Sequence, residues 1–407
     1  MRHVLLSVVG NTPQVVTETL YAMHKQEKPW PEQLQIVTTT VGRKGALRLL
    51  DEGILAAMCD ELGKPCPHFG IDDILVVPDA EGGAVADART VEDHEALADF
   101  IMMTVRDLTA DDGLAVHASL AGGRKTMTFY LGYAMSLFGR LQDSLSHVLV
   151  SPEFENVGAF FYPSSRQGIF AVKRRDDSEF TLDSTAARVE LADIPFIRHR
   201  GSLPGILAQA GRPVNFRTLV GLINLGEQPE QIRLSIDCGR RTVRASNADG
   251  SLYKDVQPGL LEFAFYLMMA RSTLEADKDM TRPEVNKNDK GLAKSFCDEL
   301  LFLCGIPPCQ TLDHSLKALE NWSPLDGQGE LNARTLENLK KGIVRSWFDQ
   351  RLNMLKSQFR EVLPNSVVEH LLPRIIWDED GERLTGKTTK GGGYGIGLPL
   401  EHITLQP

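Results

Sequence analysis

The stretch Val4-Leu-Leu-Ser-Val-Val-Gly-Asn-Thr-Pro-Gln14 lies near the start of the sequence. In it, a largely apolar run ends in a short polar turn. An apolar run of this kind is typical of a strand that is buried on both faces of a sheet. The residues that follow, Val15–His24, have the apolar spacing of a helix. A buried strand, a tight turn and a helix together indicate the first repeat unit of a parallel α/β fold.

The same alternation of strand and helix continues to about residue 150. Further strands are predicted at Leu34–Thr39, Ile74–Val77, Leu114–Ser119 and Leu145–Val150. Helices between them are predicted at Lys44–Leu62, Thr90–Leu108 and Arg124–Phe138, and Thr90 with Asp93 has the spacing of a capping box. Right-handed crossovers between such strands give a Rossmann-like, mostly parallel sheet with helices on both faces.

The pattern changes after about residue 175. We predict a connector over 176–228, because residues 201–215 are rich in Gly and Pro, and a second, α+β domain over 229–407. In that domain the pattern predicts a hairpin that begins at Ile232, helices at Leu260–Arg271, Gly291–Leu303 and Thr335–Leu355, and a second hairpin between residues 374 and 400.

Composition restricts the class of protein. The 407 residues are 42% hydrophobic and 24% charged, which suits a globular chain of two domains. The longest apolar run is far below the ~20 residues that a membrane span needs, so no membrane partner is expected. The chain start lacks the features of a secretory signal, and the six cysteines form no CxxC pair. We therefore expect reduced thiols and a cytoplasmic location.

Charge is distributed unevenly along the chain. The net charge is −10, yet residues 331–407 contain 11 Lys and Arg against 9 Asp and Glu. An acidic body argues against wrapping a long duplex through bulk electrostatics. It leaves room for a small basic patch that grips one anionic ligand or a short stretch of DNA.

The turn after the first strand, Gly10-Asn-Thr-Pro-Gln14, is the first candidate site. Ligands of parallel sheets bind at the carboxyl ends of strands, and free N–H groups at the start of a helix suit a phosphate. Asn11 and Thr12 can hydrogen bond phosphate or ribose, although both residue types are also favoured as plain helix caps. The GxGxxG pattern is absent, so neither a nicotinamide nor a flavin is expected, and we predict no cofactor.

The second candidate is the turn Ser119-Leu-Ala-Gly-Gly-Arg-Lys-Thr-Met127. Two glycines allow the backbone to approach an anion closely. Arg124 and Lys125 are cations at the start of a helix, where the helix dipole disfavours them unless an anion lies nearby. A surface turn with solvated cations is the alternative. Walker spacing fails, which disfavours ATP hydrolysis, and His94, His117 and His147 lack the spacing of metal ligands.

These motifs, taken in order, resemble the CRISPR-associated Rossmann fold, or CARF, domain, and within it the CRISPR-associated ring nucleases. The resemblance covers about residues 1–165, and we assign residues 1–175 to this domain. It is carried by the two turns and by Ile36-Val-Thr-Thr-Thr, Leu131-Gly-Tyr-Ala and Ser146-His-Val-Leu-Val. It implies a homodimer that binds a cyclic oligoadenylate, a second messenger made by type III CRISPR complexes. Some members also cleave that ring.

The resemblance also implies a role for individual residues. Lys125 would stabilise developing charge, and Thr12 stands where a catalytic serine often stands. Arg124 would clamp a phosphate, and Gln14 and Thr39 would contact the ring. The remaining expected ligand contacts are Gly10, Asn11, Ser119, Ala121, Gly122, Gly123 and Thr126. The expected ligand is cyclic tetra-adenylate, although hexa-adenylate presents the same groups.

The second half resembles, more distantly, a winged-helix domain of the response-regulator type. Residues 232–271 match the opening of that domain and residues 391–399 its wing, whereas 275–330 depart from the pattern. The helix Thr335–Leu355 would be the recognition helix and would contact DNA through Lys340, Lys341 and Arg345. A module that serves only dimerisation is the alternative. Residues 176–407 lack the Arg-x4–6-His spacing of a HEPN ribonuclease.

These observations favour one function and leave two alternatives. The favoured function is a metal-independent ring nuclease that cuts cyclic tetra-adenylate to linear products with 2′,3′-cyclic phosphate ends and so switches off antiviral signalling. The first alternative is a transcriptional regulator whose DNA binding is gated by the ring. The second is a ring sensor fused to an unrecognised effector nuclease.

Overall fold

The chain folds into two compact units, which the computed structural model describes over residues 1–79, 81–155, 157–173, 179–202, 215–277, 280–322, 331–378, 382–384 and 392–407. The described residues up to Arg217 form the first unit, and the second unit begins at Thr218. Of the segments predicted from sequence, the Gly- and Pro-rich centre of the connector and residues 379–381 and 385–391 of the terminal hairpin lie outside the described residues. No helix in the described part of the chain is both long enough and apolar enough to cross a membrane.

The first unit is a six-stranded sheet with helices on both faces. Its strands and the accompanying hairpin are β1 Arg2–Val8, β2 Gln33–Thr38, β3 Ile74–Val76, β4 Leu114–Ser119, β5 Ser144–Val150, β6 Ile169–Lys173, β7 Glu179–Asp183 and β8 Val189–Asp193. The sheet order is β3-β2-β1-β4-β5-β8, in which the first five strands are parallel and β8 is antiparallel to β5. Among the described strands, β6 and β7 pair only with each other.

The helices of this part of the chain are α1 Gln14–Lys25, α2 Thr40–Asp51, α3 Ile54–Leu62, α4 Val91–Ala110, α5 Lys125–Phe138 and α6 Phe216–Leu225. Alternate side chains of β1 explain why helices cover both faces. Leu5 packs in the cluster formed with α1, α2 and α3, whereas Val4 and Leu6 are equally buried but lie outside that cluster. α5 packs against β1, and α4 packs against β4 and α5. The continuous apolar run in the sequence is therefore the consequence of a strand covered on both sides.

The elements predicted for residues 1–150 are all present, with one division that was not predicted. Thr90 and Asp93 cap each other at the start of α4, as their spacing predicts. The single helix predicted at Lys44–Leu62 is wrong, because Gly53 adopts a left-handed conformation with φ of +65° and separates α2 from α3. The segment 176–228, predicted as a connector, contributes β7 and β8, and β8 forms one edge of the sheet.

The second unit combines a four-stranded sheet with six helices in the described residues. Its strands are β9 Arg233–Asp237, β10 Thr242–Ser246, β11 Tyr253–Val256, β12 Pro373–Ile375, β13 Tyr394–Ile396 and β14 Ile403–Gln406. Its helices are α7 Leu260–Leu274, α8 Lys290–Leu303, α9 Leu312–Trp322, α10 Ala333–Lys341, α11 Arg345–Val362 and α12 Asn365–Leu371. The main sheet has the order β11-β10-β9-β14, and β12 pairs with β13. α7 is buried on nearly all sides, as expected for the central helix of a core.

Both hairpins predicted in this unit are present, since β9 pairs with β10 and β12 with β13 in antiparallel fashion. The single helix predicted at Thr335–Leu355 is wrong. Gly342 has φ of +105°, and Ile343 exchanges two backbone hydrogen bonds of 2.9 Å with Asp289. This bridge ends α10 and starts α11 as a separate helix. The winged-helix assignment itself stays a prediction.

Candidate functional site

The two turns singled out in the sequence lie side by side in the first unit. β1 and β4 are neighbours at the centre of the sheet, at the point where the strand order reverses direction. A side-chain carbon placed on Gly10 would lie 3.4 Å from the Cα atom of Gly123. The turn after β1 therefore contacts the turn after β4 at the place where parallel sheets bind their ligands.

A cavity of about 290 Å³ opens at the carboxyl ends of β1, β4 and β5. Six of the residues predicted to contact ligand line it, namely Gly10, Asn11, Thr12, Ala121, Gly122 and Gly123. The rest of its wall is formed by α1, by the end of β5 and by the loop after β5, through Val15, Glu18, His147, Val148, Leu149, Val150 and Glu155. The side chains of Asn11 and Thr12 are exposed.

Gly122 is the residue that lets the two turns approach so closely. A side-chain carbon at this position would lie 2.5 Å from the carbonyl oxygen of Val8 and 2.9 Å from a methyl group of Val15. Gly123 follows with φ of +81°, a conformation that glycine adopts without strain. The first glycine is thus required by close packing and the second by backbone conformation.

The helices that begin at the cavity differ from their neighbours in how their first N–H groups are satisfied. α1 and α5 have no side-chain cap, and the first helical hydrogen bond of α5 runs from Thr128 N to Arg124 O. In α2, by contrast, Thr39 caps the helix, and the N–H groups of Thr40 and Val41 donate to carbonyl oxygens of residues 85 and 86. Uncapped N–H groups are available to a bound anion, and here they are found at the cavity.

Lys125 is the first residue of α5, and its side chain is exposed. Within the described part of the chain it makes no ion pair or hydrogen bond. Its neighbour Thr126 is half-buried, and the Thr126 hydroxyl has no hydrogen-bond partner among the described residues. A cation at the start of a helix is held against the helix dipole, so its position favours a negatively charged ligand.

Arg124 has different surroundings, because it already has an internal anionic partner. Its guanidinium donates two hydrogen bonds to Asp87, with Nε–Oδ1 of 2.7 Å and Nη2–Oδ2 of 2.5 Å. Arg124, and to a smaller extent Arg89, lowers the pKa of Asp87 to about 2. Both side chains of the Arg124–Asp87 pair reach solvent. Nothing in the sequence marked Asp87 as the partner of Arg124.

Three residues predicted to contact the ring lie beneath the surface and are used by the fold. Gln14 donates from Nε2 to the carbonyl of Gly158 at 2.9 Å, and Thr39 caps α2. Ser119 is fully buried, and its hydroxyl lies 3.2 Å from that of Thr19. The structure does not bring these three side chains into the wall of the cavity.

Glu18 and Glu155 are charged groups of the cavity wall to which no role was assigned from the sequence. Glu18 lies on α1 and is only 7% exposed, and its burial together with the charge of Glu155 raises its pKa to about 7. The sequence feature that could have identified Glu18 is its acidic side chain inside the otherwise apolar or uncharged, buried stretch Val15–Leu20. Glu155 lies in a loop and had none. Over the described residues, no group of three or more His, Cys, Asp or Glu side chains is arranged to hold a metal ion.

The three basic residues predicted to contact DNA lie in the second unit on two separate helices. Lys340 and Lys341 end α10, and Arg345 begins α11. Lys341 pairs with Glu337 at 3.2 Å on the exposed surface. The three side chains therefore flank a short bend and do not lie along one helix face.

Comparison with known proteins identifies the family of the chain. Residues 12–224, which are just over half of the chain, match the family of CRISPR-associated protein NE0113. The match contains the turn after β4 and most of the turn after β1. No curated protein matches the sequence. By the extent of the family match, the chain belongs to the family of CRISPR-associated protein NE0113.

Proposed function

We propose that the protein is a ring nuclease of CRISPR signalling, which binds cyclic tetra-adenylate between two copies of its first unit and cuts it without a metal ion. Membership in a CRISPR-associated family supports the biological setting. The doubly wound sheet, with ligand-type turns at its centre, supports a CARF-like assignment. Cleavage of the ring would end an antiviral signal.

One observation carries this proposal. Two helices without side-chain caps, α1 and α5, begin at the same cavity, and Lys125, which has no partner among the described residues, stands at the start of α5. Free N–H groups and an ammonium group are what a phosphodiester with one negative charge requires. The exposed hydroxyl of Thr12 lies on the opposite turn, in the wall of the same cavity.

The size of the cavity supports the participation of two copies. About 290 Å³ is close to the lower end of the ~300–1,000 Å³ that small-molecule sites occupy, so one cavity is too small for a ring of four nucleotides. A ring of four identical nucleotides has a two-fold axis, and a two-fold dimer presents the same turns to each half of it.

The chemistry needs only groups of the ring and of the protein. The 2′-oxygen of one ribose bonds to the adjacent phosphorus as the bond from that phosphorus to the 5′-oxygen breaks. The 2′-hydroxyl loses its proton and the departing 5′-oxygen gains one, which leaves a 2′,3′-cyclic phosphate and a 5′-hydroxyl. In this proposal the protein aligns the attack, and Lys125 stabilises the charge that grows on the phosphoryl oxygens.

Incubation of the pure full-length protein with labelled cyclic tetra- and hexa-adenylate, in buffer that contains EDTA, tests the proposal. We expect cleavage of the tetra-adenylate ring, with product ends that carry 2′,3′-cyclic phosphate. Cleavage that stops with EDTA and returns with manganese would contradict the mechanism. Tight binding without cleavage would favour the alternative in which the protein only senses the ring.

A second candidate function is DNA binding by the second unit under control of the ring. The observation that favours it is the short bend between α10 and α11, where Lys340, Lys341 and Arg345 are concentrated, together with the β12–β13 hairpin. Helix-bend-helix elements followed by a hairpin are used by DNA-binding domains to approach the duplex.

A further inference from the structure

The cavity of the first unit contains a buried carboxyl group that the fold does not use. Glu18 lines the cavity, and only 7% of its surface is exposed. Within the described residues its carboxyl group makes no hydrogen bond or ion pair. Its carboxyl oxygens keep contact with the open space of the cavity, where a ligand can supply the hydrogen bonds that the described residues do not.

The surroundings of Glu18 favour its protonated form. Burial has the largest effect and the negative charge of Glu155 adds to it, so that the pKa of Glu18 is raised from 4.5 to about 7. Of the other titratable groups on elements that pack around α1, His147 lines the cavity from β5. Glu61 of α3 is held by Tyr162, Ser164 and Ser165. Asp193 of β8 is paired with Lys28.

We propose that protonated Glu18 recognises an adenine base in this cavity, donating its O–H to N1 and accepting a hydrogen bond from the N6 amino group. This inference rests on the proposed function, because the base is that of a bound oligoadenylate. A carboxylic acid has one donor and one acceptor side by side, which matches the Watson–Crick edge of adenine. An ionised carboxylate accepts only, and it matches the two donors of guanine instead.

The location of Glu18 agrees with the connectivity of a nucleotide. Gly122 and Gly123 form one wall of the cavity, and the next two residues are Arg124 and Lys125. A base that reaches Glu18 would thus be joined through its ribose to a phosphate at the start of α5. The cavity has room for a base and part of its ribose and leaves the remainder of the ring outside it.

Equilibrium binding of cyclic tetra-adenylate to the full-length protein between pH 5.5 and 8.5, at constant ionic strength, tests this inference. One ring contacts two copies of Glu18 in the proposed dimer, so we expect the wild-type affinity to be constant below the pKa of Glu18 and to fall about a hundredfold for each pH unit above it. Glu18→Gln keeps one donor and one acceptor without a titrating proton, so its affinity should be independent of pH. Glu18→Leu should weaken binding about 10- to 100-fold at pH 6.

Two further measurements separate recognition from a structural role of Glu18. Glu155→Gln removes the neighbouring charge, so the midpoint of the pH profile should move to lower pH, whereas Glu153→Gln, an exposed control in the same loop, should leave it unchanged. A ring built from 1-deazaadenosine lacks the N1 acceptor. It should bind the wild type about tenfold more weakly than the natural ring does, whereas Glu18→Leu should bind the two rings equally well.

Wild-type binding that is tight but independent of pH would overturn the role of Glu18 and leave the proposed function intact. The role of Glu18 would also be overturned if replacing the natural ring by the 1-deazaadenosine ring weakened binding by the same factor in the wild type and in Glu18→Leu. Absence of ring binding at every pH would instead remove the proposed function and this inference together.

Discussion

Lys125 and Arg124 are adjacent in the sequence, yet their side chains have different surroundings. Arg124 is held by Asp87 through two hydrogen bonds, whereas Lys125 is exposed and has no partner in the described part of the chain. A guanidinium that is already oriented suits a ground-state clamp. An unpaired ammonium at the start of a helix is available to follow a phosphate as its charge grows. We therefore expect the two residues to affect binding and cleavage differently.

Lys125→Ala should weaken ring binding modestly, by roughly 1–2 kcal/mol, and slow cleavage by ~10²-fold or more. Arg124→Ala should show the opposite balance, with the larger loss in affinity. Thr12→Ala should mainly slow cleavage if its hydroxyl positions the ring, as proposed. Single-turnover cleavage at saturating protein, measured beside equilibrium binding, separates the two effects.

Lys25→Ala is the matched control for this series, since Lys25 lies at the opposite end of α1 from the cavity. It should bind and cleave like the wild type. A Lys125→Ala protein that cleaves at the wild-type rate once saturated would remove Lys125 from the chemical step and leave it a binding contact.

At the level of single residues, the sequence predicted the turns of the site better than the side chains within them. Gly10–Thr12 and Gly122–Lys125 meet because strand order and glycine content define where two turns lie. Gln14 and Ser119 were expected at the ring and are buried, because their hydrogen bonds to Gly158 and Thr19 join segments that are far apart in the sequence. The long-range contacts of Asp87 and Glu155 left no local pattern for the same reason.

At the level of elements, the parallel strands and most helices could be predicted because each has an apolar period of its own. The errors fall at glycines. Gly53 and Gly342 each end a helix with a positive φ, inside segments whose apolar spacing continues across the break. The prediction from periodicity alone therefore merged two helices into one in each case. The edge strand β8 was missed because its pairing with β5 depends on a partner more than thirty residues away.

The bend between α10 and α11 is the element on which the proposed DNA binding would depend. Charge reversal at Lys340, Lys341 and Arg345, as Lys→Glu and Arg→Glu together, should weaken binding to a short duplex and flatten the dependence of affinity on salt. Titration of a labelled duplex at several salt concentrations, with and without the ring, measures both effects.

Charge reversal at Arg240, in the turn between β9 and β10, and at Lys254, on β11, provides a control on the sheet of the same unit, with two reversed charges against three. This control should retain the wild-type affinity for the duplex. A wild-type protein without measurable duplex affinity at low salt, in the presence or absence of the ring, would leave the regulator alternative without support.

At the level of the whole molecule, the proposed function requires a dimer. Because one cavity of about 290 Å³ cannot enclose a four-nucleotide ring, two chains should bind one ring. Native mass spectrometry should therefore show a protein mass near twice 45.0 kDa and one ring for each pair of chains. The slowly cleaving Lys125→Ala protein is the suitable sample. One ring bound to each single chain would contradict the shared site.

The ion pair between Arg124 and Asp87 has a consequence for how this site discriminates among anions. Asp87 accepts from Nε and Nη2 of Arg124, so a phosphodiester that takes over these two donors would exchange one monovalent anion for another. Asp87 is thus an internal competitor for Arg124, present at a fixed high effective concentration. The affinity of every ligand for Arg124 is measured against that of Asp87. Small anions with a single contact lose this competition. We expect that a ligand which also contacts the helix starts and the cavity displaces Asp87. The Arg124–Asp87 pair would then set a minimum affinity that a ligand needs for occupancy.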